Sequence, residues 1–274
     1  MRLKVCLIQM CATNNKEENL RKVVSFVEEA VDHNIDIVGL PEMFNYFSIK
    51  KEDIVANAEY LNGTTIGTLK DLAKEYSIYI HAGSIFEISE EEDKVYNTSV
   101  ILNPQGKMIG VYRKIHLAEL NVKNGVKYHE SEYVKAGNEI VTIDINRVRF
   151  GLTICRDIRF PELYRKLTLL GAEAIWVPAA FPVSTGKDHW EILCRARAIE
   201  NQVYILAPAQ IGKSPESDYI NYGRSLIVDP WGIVITQAPD EETIIISEID
   251  IDRIYRIREQ VPVLNQRRPD LYGL

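Results

Sequence analysis

Apolar positions along this chain alternate between two spacings. Leu3 to Met10 is an almost unbroken apolar run, as a buried strand requires. Leu20, Val23, Val24, Val27 and Val31 then recur at helical intervals, the stripe of an amphipathic helix. Asn14, followed three residues later by Glu17, is a capping signal for its start. Ile35–Leu40 predicts a second strand that stops at Pro41, and Leu69, Leu72, Ala73 and Tyr76 predict a helix over Ile66–Tyr76. Three β runs follow, Ile78–Ile88, Lys94–Leu102 and Met108–Ile115, the last two joined as a hairpin by Asn103-Pro104-Gln105-Gly106. Leu117–Asn138 has little periodicity and reads as a long ordered loop, a feature that leans towards function. Further strands are expected at Arg147–Cys155, Ala174–Pro178, Val203–Ala209, Ser225–Val228 and Thr243–Asp250. Helices are expected at Pro161–Leu170, His189–Glu200 and Asp252–Glu259. With no linker and no repeat, the pattern predicts one α/β domain holding a mixed sheet, or two sheets packed together.

Composition narrows the function classes. The 274 residues are 46% hydrophobic and 26% charged, a globular balance that argues against disorder, fibres and disulfide scaffolds. A formal charge of −7 and no long basic run argue against nucleic acid or an anionic membrane as partner. No uncharged stretch is long enough for a membrane span, and the first apolar run is too short for an export signal, so a soluble cytoplasmic protein is expected. Cys6, Cys11, Cys155 and Cys194 form no CxxC pair, which predicts reduced thiols and no zinc site. The five histidines lack metal-ligand spacing, and GxGxxG and the P-loop pattern are absent, so neither metal nor cofactor is expected.

Three residues at predicted strand ends are candidates for chemistry, because α/β sheets hold their functional groups at strand carboxyl ends. Glu42 follows the strand ending at Leu40-Pro41 and precedes Met43 and Phe44, where desolvation favours a carboxylate acting as a base. Taken alone it reads equally as a loop glutamate. Lys114 shares one face of its strand with Tyr112 and opposes Arg113, so one of the two cations turns inward. An inward lysine stabilises a developing oxyanion, whereas an outward one protects a sheet edge. Cys155 ends an apolar strand and is followed by Arg156-Asp157-Ile158-Arg159-Phe160-Pro161, the strand–turn–helix layout of a nucleophile elbow. A helix N-terminus and a lysine there would lower its pKa. Cys6, Cys11 and Cys194 read as buried structural thiols.

Glu42 after Leu-Pro, Lys114 in Tyr-Arg-Lys-Ile-His-Leu, and Cys155 before Arg-Asp-Ile-Arg-Phe-Pro-Glu-Leu together resemble the nitrilase superfamily of carbon–nitrogen hydrolases. The resemblance spans the whole chain. His189-Trp190-Glu191, Tyr222-Gly223-Arg224-Ser225, Asp229-Pro230-Trp231-Gly232 and Arg267-Arg268-Pro269-Asp270-Leu271-Tyr272-Gly273 look like its Nit-type amidase branch. What the resemblance implies is an α/β fold of four αββα layers over residues 1–274, without a cofactor, dimerising through helices. The tail from about 261 to 274 would cross to a partner subunit. Glu42 would be the general base, Lys114 the oxyanion acid, Cys155 the nucleophile and Glu130 a second glutamate orienting the lysine. The reaction implied is hydrolysis of a small carboxylate-bearing amide, with a deaminated-glutathione-type substrate favoured. ω-Amidase, nitrilase and N-carbamoyl hydrolase activities stand as alternatives with the same chemistry, and a non-catalytic scaffold that keeps the fold or a thiol acyltransferase as readings of another functional class. Arg156 stands where the branch commonly has tyrosine, and is expected either to bind a substrate carboxylate or to pair with Asp157 or Glu162. Tyr46, Phe47, Phe181 and His189 are expected to divide between pocket lining and core.

Overall fold

A computed structural model describes residues 1–121, 127–213 and 218–273. They form two large sheets. The first has seven strands, with Thr243–Asp250, Arg2–Gln9, Ile37–Gly39, Tyr79–His81 and Val95–Leu102 in spatial order. Val95–Leu102 pairs along one edge with Tyr79–His81 and Ile85–Ile88, and along the other with Met108–Arg113. The second has six, in the order Val234–Gln237, Leu226–Val228, Tyr204–Ala207, Ala174–Trp176, Val148–Leu152 and Thr142–Ile145. Each sheet contains three parallel strands flanked by antiparallel ones.

The connections between parallel strands are helices, as crossover geometry demands. In the first sheet they are α1 (Lys16–Val31) and α3 (Thr64–Glu75), with the short α2 (Lys51–Ala56) lying between them in sequence. In the second they are α4 (Pro161–Leu169) and α5 (Val183–Asn201), and α6 (Ile251–Gln260) and α7 (Pro269–Tyr272) close the chain. Strand alternation then builds the layers. Leu3, Val5 and Leu7 share one core with Phe150 and Trp176 of the other sheet, while Cys6 and Ile8 pack with Val23, Val27, Ile66 and Leu69 of α1 and α3. The order is helices, sheet, sheet, helices: the four-layer αββα sandwich that the resemblance implied.

Trp176 locks the two sheets together. Its indole stacks on His81 at 4.5 Å and 15°, and a Cβ at Gly39 would come within 2.3 Å of its ring. Truncating so large a buried ring costs about 3–5 kcal/mol.

Several elements differ from the sequence expectation. Ile78–Ile88 is two strands, because Gly83 turns at φ +40° and a Cβ there would meet the Pro41 carbonyl oxygen at 2.0 Å. The cap of α1 is Asn15, whose side chain accepts from the Glu18 N–H at 3.1 Å; Asn14 lies one residue outside. α5 starts six residues before His189, at Val183. Strands Thr142–Ile145 and Val234–Gln237 were not among the expected ones, although Ile143 and Ile145 alternate with Thr142 and Asp144. Within the segment expected to be a loop, Glu119–Asn121 pairs with Lys127–His129 and a 3-10 turn spans Glu130–Glu132, while 122–126 lie outside the described residues.

Candidate active site

The candidate residues gather where the carboxyl ends of strands from both sheets meet. Glu42 follows Ile37–Gly39, Lys114 follows Met108–Arg113, and Cys155 follows Val148–Leu152. The elbow stays anchored to the neighbouring strand of its own sheet: Thr153 donates through N–H and Oγ1 to the Trp176 carbonyl, and the Cys155 N–H donates to Pro178 O at 2.9 Å. Cys155 itself sits at φ +45°, a left-handed conformation that costs a non-glycine residue about 1–3 kcal/mol and turns its side chain out of the strand. The elbow read from the sequence is present, starting a 3-10 turn over Cys155–Arg159 ahead of α4.

Lys114 is 2% exposed and bonded to two carboxylates. Its Nζ lies 2.8 Å from Glu42 Oε1, and 3.0 and 2.8 Å from Glu130 Oε1 and Oε2. Both carboxylates accept further bonds. Asn97 Nδ2 donates to both glutamates, at 3.0 and 3.1 Å, the Ala180 N–H donates to Glu42 Oε2 at 2.9 Å, and the Ala118 N–H donates to Glu130 Oε2. Burial alone would push the lysine pKa down, but the Glu130 and Glu42 charges override it and hold it well above 10.5, so Lys114 is an ammonium.

The thiol differs from the sequence expectation of a lowered pKa. Burial, then the Glu42 carboxylate, push Cys155 well above its ordinary 9.0, against the pull of Lys114 and the Ala180 N–H. Desolvation wins because a thiolate beside Glu42 would be a second buried anion. The resting nucleophile candidate is a protonated thiol hydrogen-bonded to a carboxylate, an arrangement that needs a base to ionise it.

These groups form the floor of a solvent-open cleft with about 510 Å³ of empty space. Its walls are mostly apolar, with Met43, Phe47, Ile49, Phe181 and Tyr219 among them, and two guanidiniums, Arg156 and Arg159. The ion pairs considered for Arg156 do not form: Asp157 is engaged by Tyr112, His116 and Ile154, and Glu162 is exposed. Arg156 Nε is buried with no hydrogen-bond partner. Arg159 lies 5.1 Å over the Phe181 ring, and burial and the neighbouring Arg156 charge lower its pKa.

Of the expected lining residues, Phe47 and Phe181 face the cleft. Tyr46 does not line it and is buried at 5% exposure, whereas its neighbour Phe47 faces the cleft. His189 is also outside, on the exposed side of α5 beside buried Trp190, with Nδ1 3.3 Å from an Arg159 nitrogen. Asn97, Arg159, and the Ala118 and Ala180 amides were missed. Asn97 in the fully buried strand Val95–Leu102, where Thr98 and Ser99 follow it, was the one legible signal, since a buried strand rarely holds an asparagine without a partner.

The carbon–nitrogen hydrolase family profile matches residues 4–259. A deaminated glutathione amidase of Dictyostelium discoideum is 41% identical, over 99% of this chain and 96% of its own. An omega-amidase NIT2 of Mus musculus is 40% identical, over 98% and 96%. Nit3 of Saccharomyces cerevisiae, described as a member of branch 10 of the nitrilase superfamily, superposes with a TM-score of 0.88 at 36% identity, covering 97% of each chain. The chain belongs to the carbon–nitrogen hydrolase family and, with it, to the nitrilase superfamily.

Proposed function

We propose that the protein is a cofactor-free amidase that hydrolyses a small carboxylate-bearing amide to acid and ammonia through a cysteine acyl-enzyme. The observation that carries this is a neutral thiol, a carboxylate and a buried ammonium converging beneath a cleft lined by two guanidiniums, Arg156 and Arg159, that form no salt bridge among the described residues. Glu42 takes the thiol proton as Cys155 Sγ bonds to the amide carbonyl carbon. Lys114 Nζ and the Arg156 N–H receive the oxyanion. The proton on Glu42 passes to the nitrogen, the carbon–nitrogen bond breaks and ammonia leaves. Glu42 then deprotonates water, which attacks the thioester and restores the thiol. Glu130 and Asn97 hold Lys114 and Glu42 in register. Arg156 and Arg159 bind the substrate carboxylate, a geometry that suits guanidinium forks.

Relatives named deaminated glutathione amidase and omega-amidase match at almost the same identity, which supports the shared amide chemistry. Ammonia release over a panel of ω-amides, α-keto ω-amides and nitriles, with Cys155→Ala as control, tests the reading. No ammonia from any amide at high enzyme concentration refutes it, and transfer to an added amine without hydrolysis would make the protein an acyltransferase.

The chain is proposed to act as one domain and as a homodimer in the cytoplasm. Four free cysteines suit a reducing compartment. Exposed Ile192 and Ile199, two turns apart on α5, adjoin exposed Trp231 and Ile233, an apolar face suited to a second copy. The tail from about 261 is proposed to extend that contact through exposed Leu271. A monomeric mass by light scattering would refute the dimer.

A further inference from the structure

The reacting groups come from different sheets, Glu42 and Lys114 from the first and Cys155 from the second, so something must hold the sheets in register to a few tenths of an ångström. Asp157 lies across that seam, with 0% exposure. Its Oδ2 accepts the Ile154 N–H at 2.8 Å and the Tyr112 hydroxyl at 2.7 Å. Its Oδ1 accepts the His116 N–H at 3.1 Å and His116 Nδ1 at 2.7 Å, which places the ring proton on Nδ1. All four acceptor positions are filled. Ile154 immediately precedes Cys155, while Tyr112 and His116 stand two residues either side of Lys114. Phe160, from the end of the same elbow, stacks on the His116 ring at 3.7 Å and 8°. Lys114 is pinned in its own sheet as well: its N–H donates to Asn97 O at 2.9 Å, and its carbonyl accepts from the Gly137 N–H at 2.8 Å.

We propose that Asp157 is a positioning residue for catalysis, whose carboxylate ties the thiol-bearing elbow to the lysine-bearing strand and sets the distance between nucleophile and oxyanion acid. This rests on the roles given above to Cys155 and Lys114. A carboxylate suits the task because it accepts from four donors at once and offers none. Its buried charge faces the Tyr112 hydroxyl and the His116 ring, the two titratable groups bonded to it. The Ala180 N–H bond to Glu42 is a second tie between the sheets, on the other side of the thiol.

Asp157→Asn keeps the shape but turns an NH₂ group towards one donor pair or the other, so one side of the tie opens. A misplacement of about 1 Å costs on the order of 100-fold, and kcat for a carboxylate-bearing ω-amide is expected to fall by that factor. KM should stay within about threefold, since Arg156, Arg159 and the cleft walls are untouched. Tyr112→Phe removes one donor and leaves the charge, and should lower kcat by a smaller factor, about fivefold, in an enzyme that melts as a folded protein. The measurement is kcat and KM per folded enzyme, with circular dichroism melts of every variant. A folded Asp157→Asn enzyme with wild-type kcat, or loss of activity that only tracks a lower Tm, overturns the proposal. Should Asp157→Asn not fold, unchanged kcat in Tyr112→Phe overturns it. Ammonia release that survives Cys155→Ala overturns the amidase reading and this one together. Loss of ammonia in Cys155→Ala, with undiminished kcat in Asp157→Asn, overturns the positioning role alone.

Discussion

Lys114→Met would remove a buried ammonium of nearly the same length as the methionine that replaces it. Two carboxylates, Glu42 at 2% exposure and Glu130 at 0%, would lose the charge that balances them. Breaking a buried pair by deleting one partner costs about 3–5 kcal/mol, because the survivor stays desolvated and uncompensated. At roughly 2–4 °C per kcal/mol for a chain of this size, the expected fall in Tm is about 6–20 °C at pH 7.5. The wild-type pKa of Lys114 lies above 10.5, so its stabilisation is complete below that pH and is lost only as pH rises beyond it. The full deficit is therefore present at neutral pH. Acidification should recover part of it in the variant, because protonating one of two adjacent buried carboxylates removes the uncompensated charge. Catalysis should fall separately, by roughly 10²–10³-fold, as for loss of one oxyanion donor. Circular dichroism melts at pH 7.5 and 5.5, with kcat on the folded protein, read both effects. A variant that melts within about 2 °C of wild type at pH 7.5, or whose deficit is the same at both pH values, would refute the reasoning.

Other residues make separable predictions. Arg156→Ala should raise KM for carboxylate-bearing amides about tenfold, the worth of a partly exposed charge-assisted bond, and leave a neutral amide unaffected; equal KM for both enzymes on a charged amide would exclude that contact. Glu42→Gln should lower amide hydrolysis by roughly 10²–10⁴-fold, since the general base is gone. It should also speed alkylation of Cys155 at pH 8, because removing the Glu42 charge takes away a cause of the raised thiol pKa and leaves Lys114 pulling it down. Slower alkylation in that variant would contradict the charge assignment. His81 is buried and neutral, its pKa pushed from 6.5 down to about 3 by desolvation. Its contribution is intact above pH 6.5 and declines as pH falls towards 3, so His81→Gln should show a shallower loss of urea stability over that interval.

The long elements were legible because their signal is local. The stripe of α1, the apolar run of Arg2–Gln9 and the Asn103–Gly106 turn follow from periods and turn chemistry within a dozen residues. The strand-end positions of Glu42, Lys114 and Cys155 followed from the same patterning, and the resemblance supplied Glu130 and the four layers. Sequence alone therefore determined the α/β alternation and which side chains were candidates for chemistry. Tertiary structure decided what those candidates experience. Arg156 faces the cleft and not Asp157, because Tyr112, His116 and Ile154, distant or backbone donors, already fill that carboxylate. Of the two neighbours expected at the wall, Phe47 lines the cleft and Tyr46 does not, a division that their order in one loop does not encode. Cys155 is held up and Lys114 held charged because pKa depends on burial and on neighbours as much as a hundred residues or more away, and no local period encodes either.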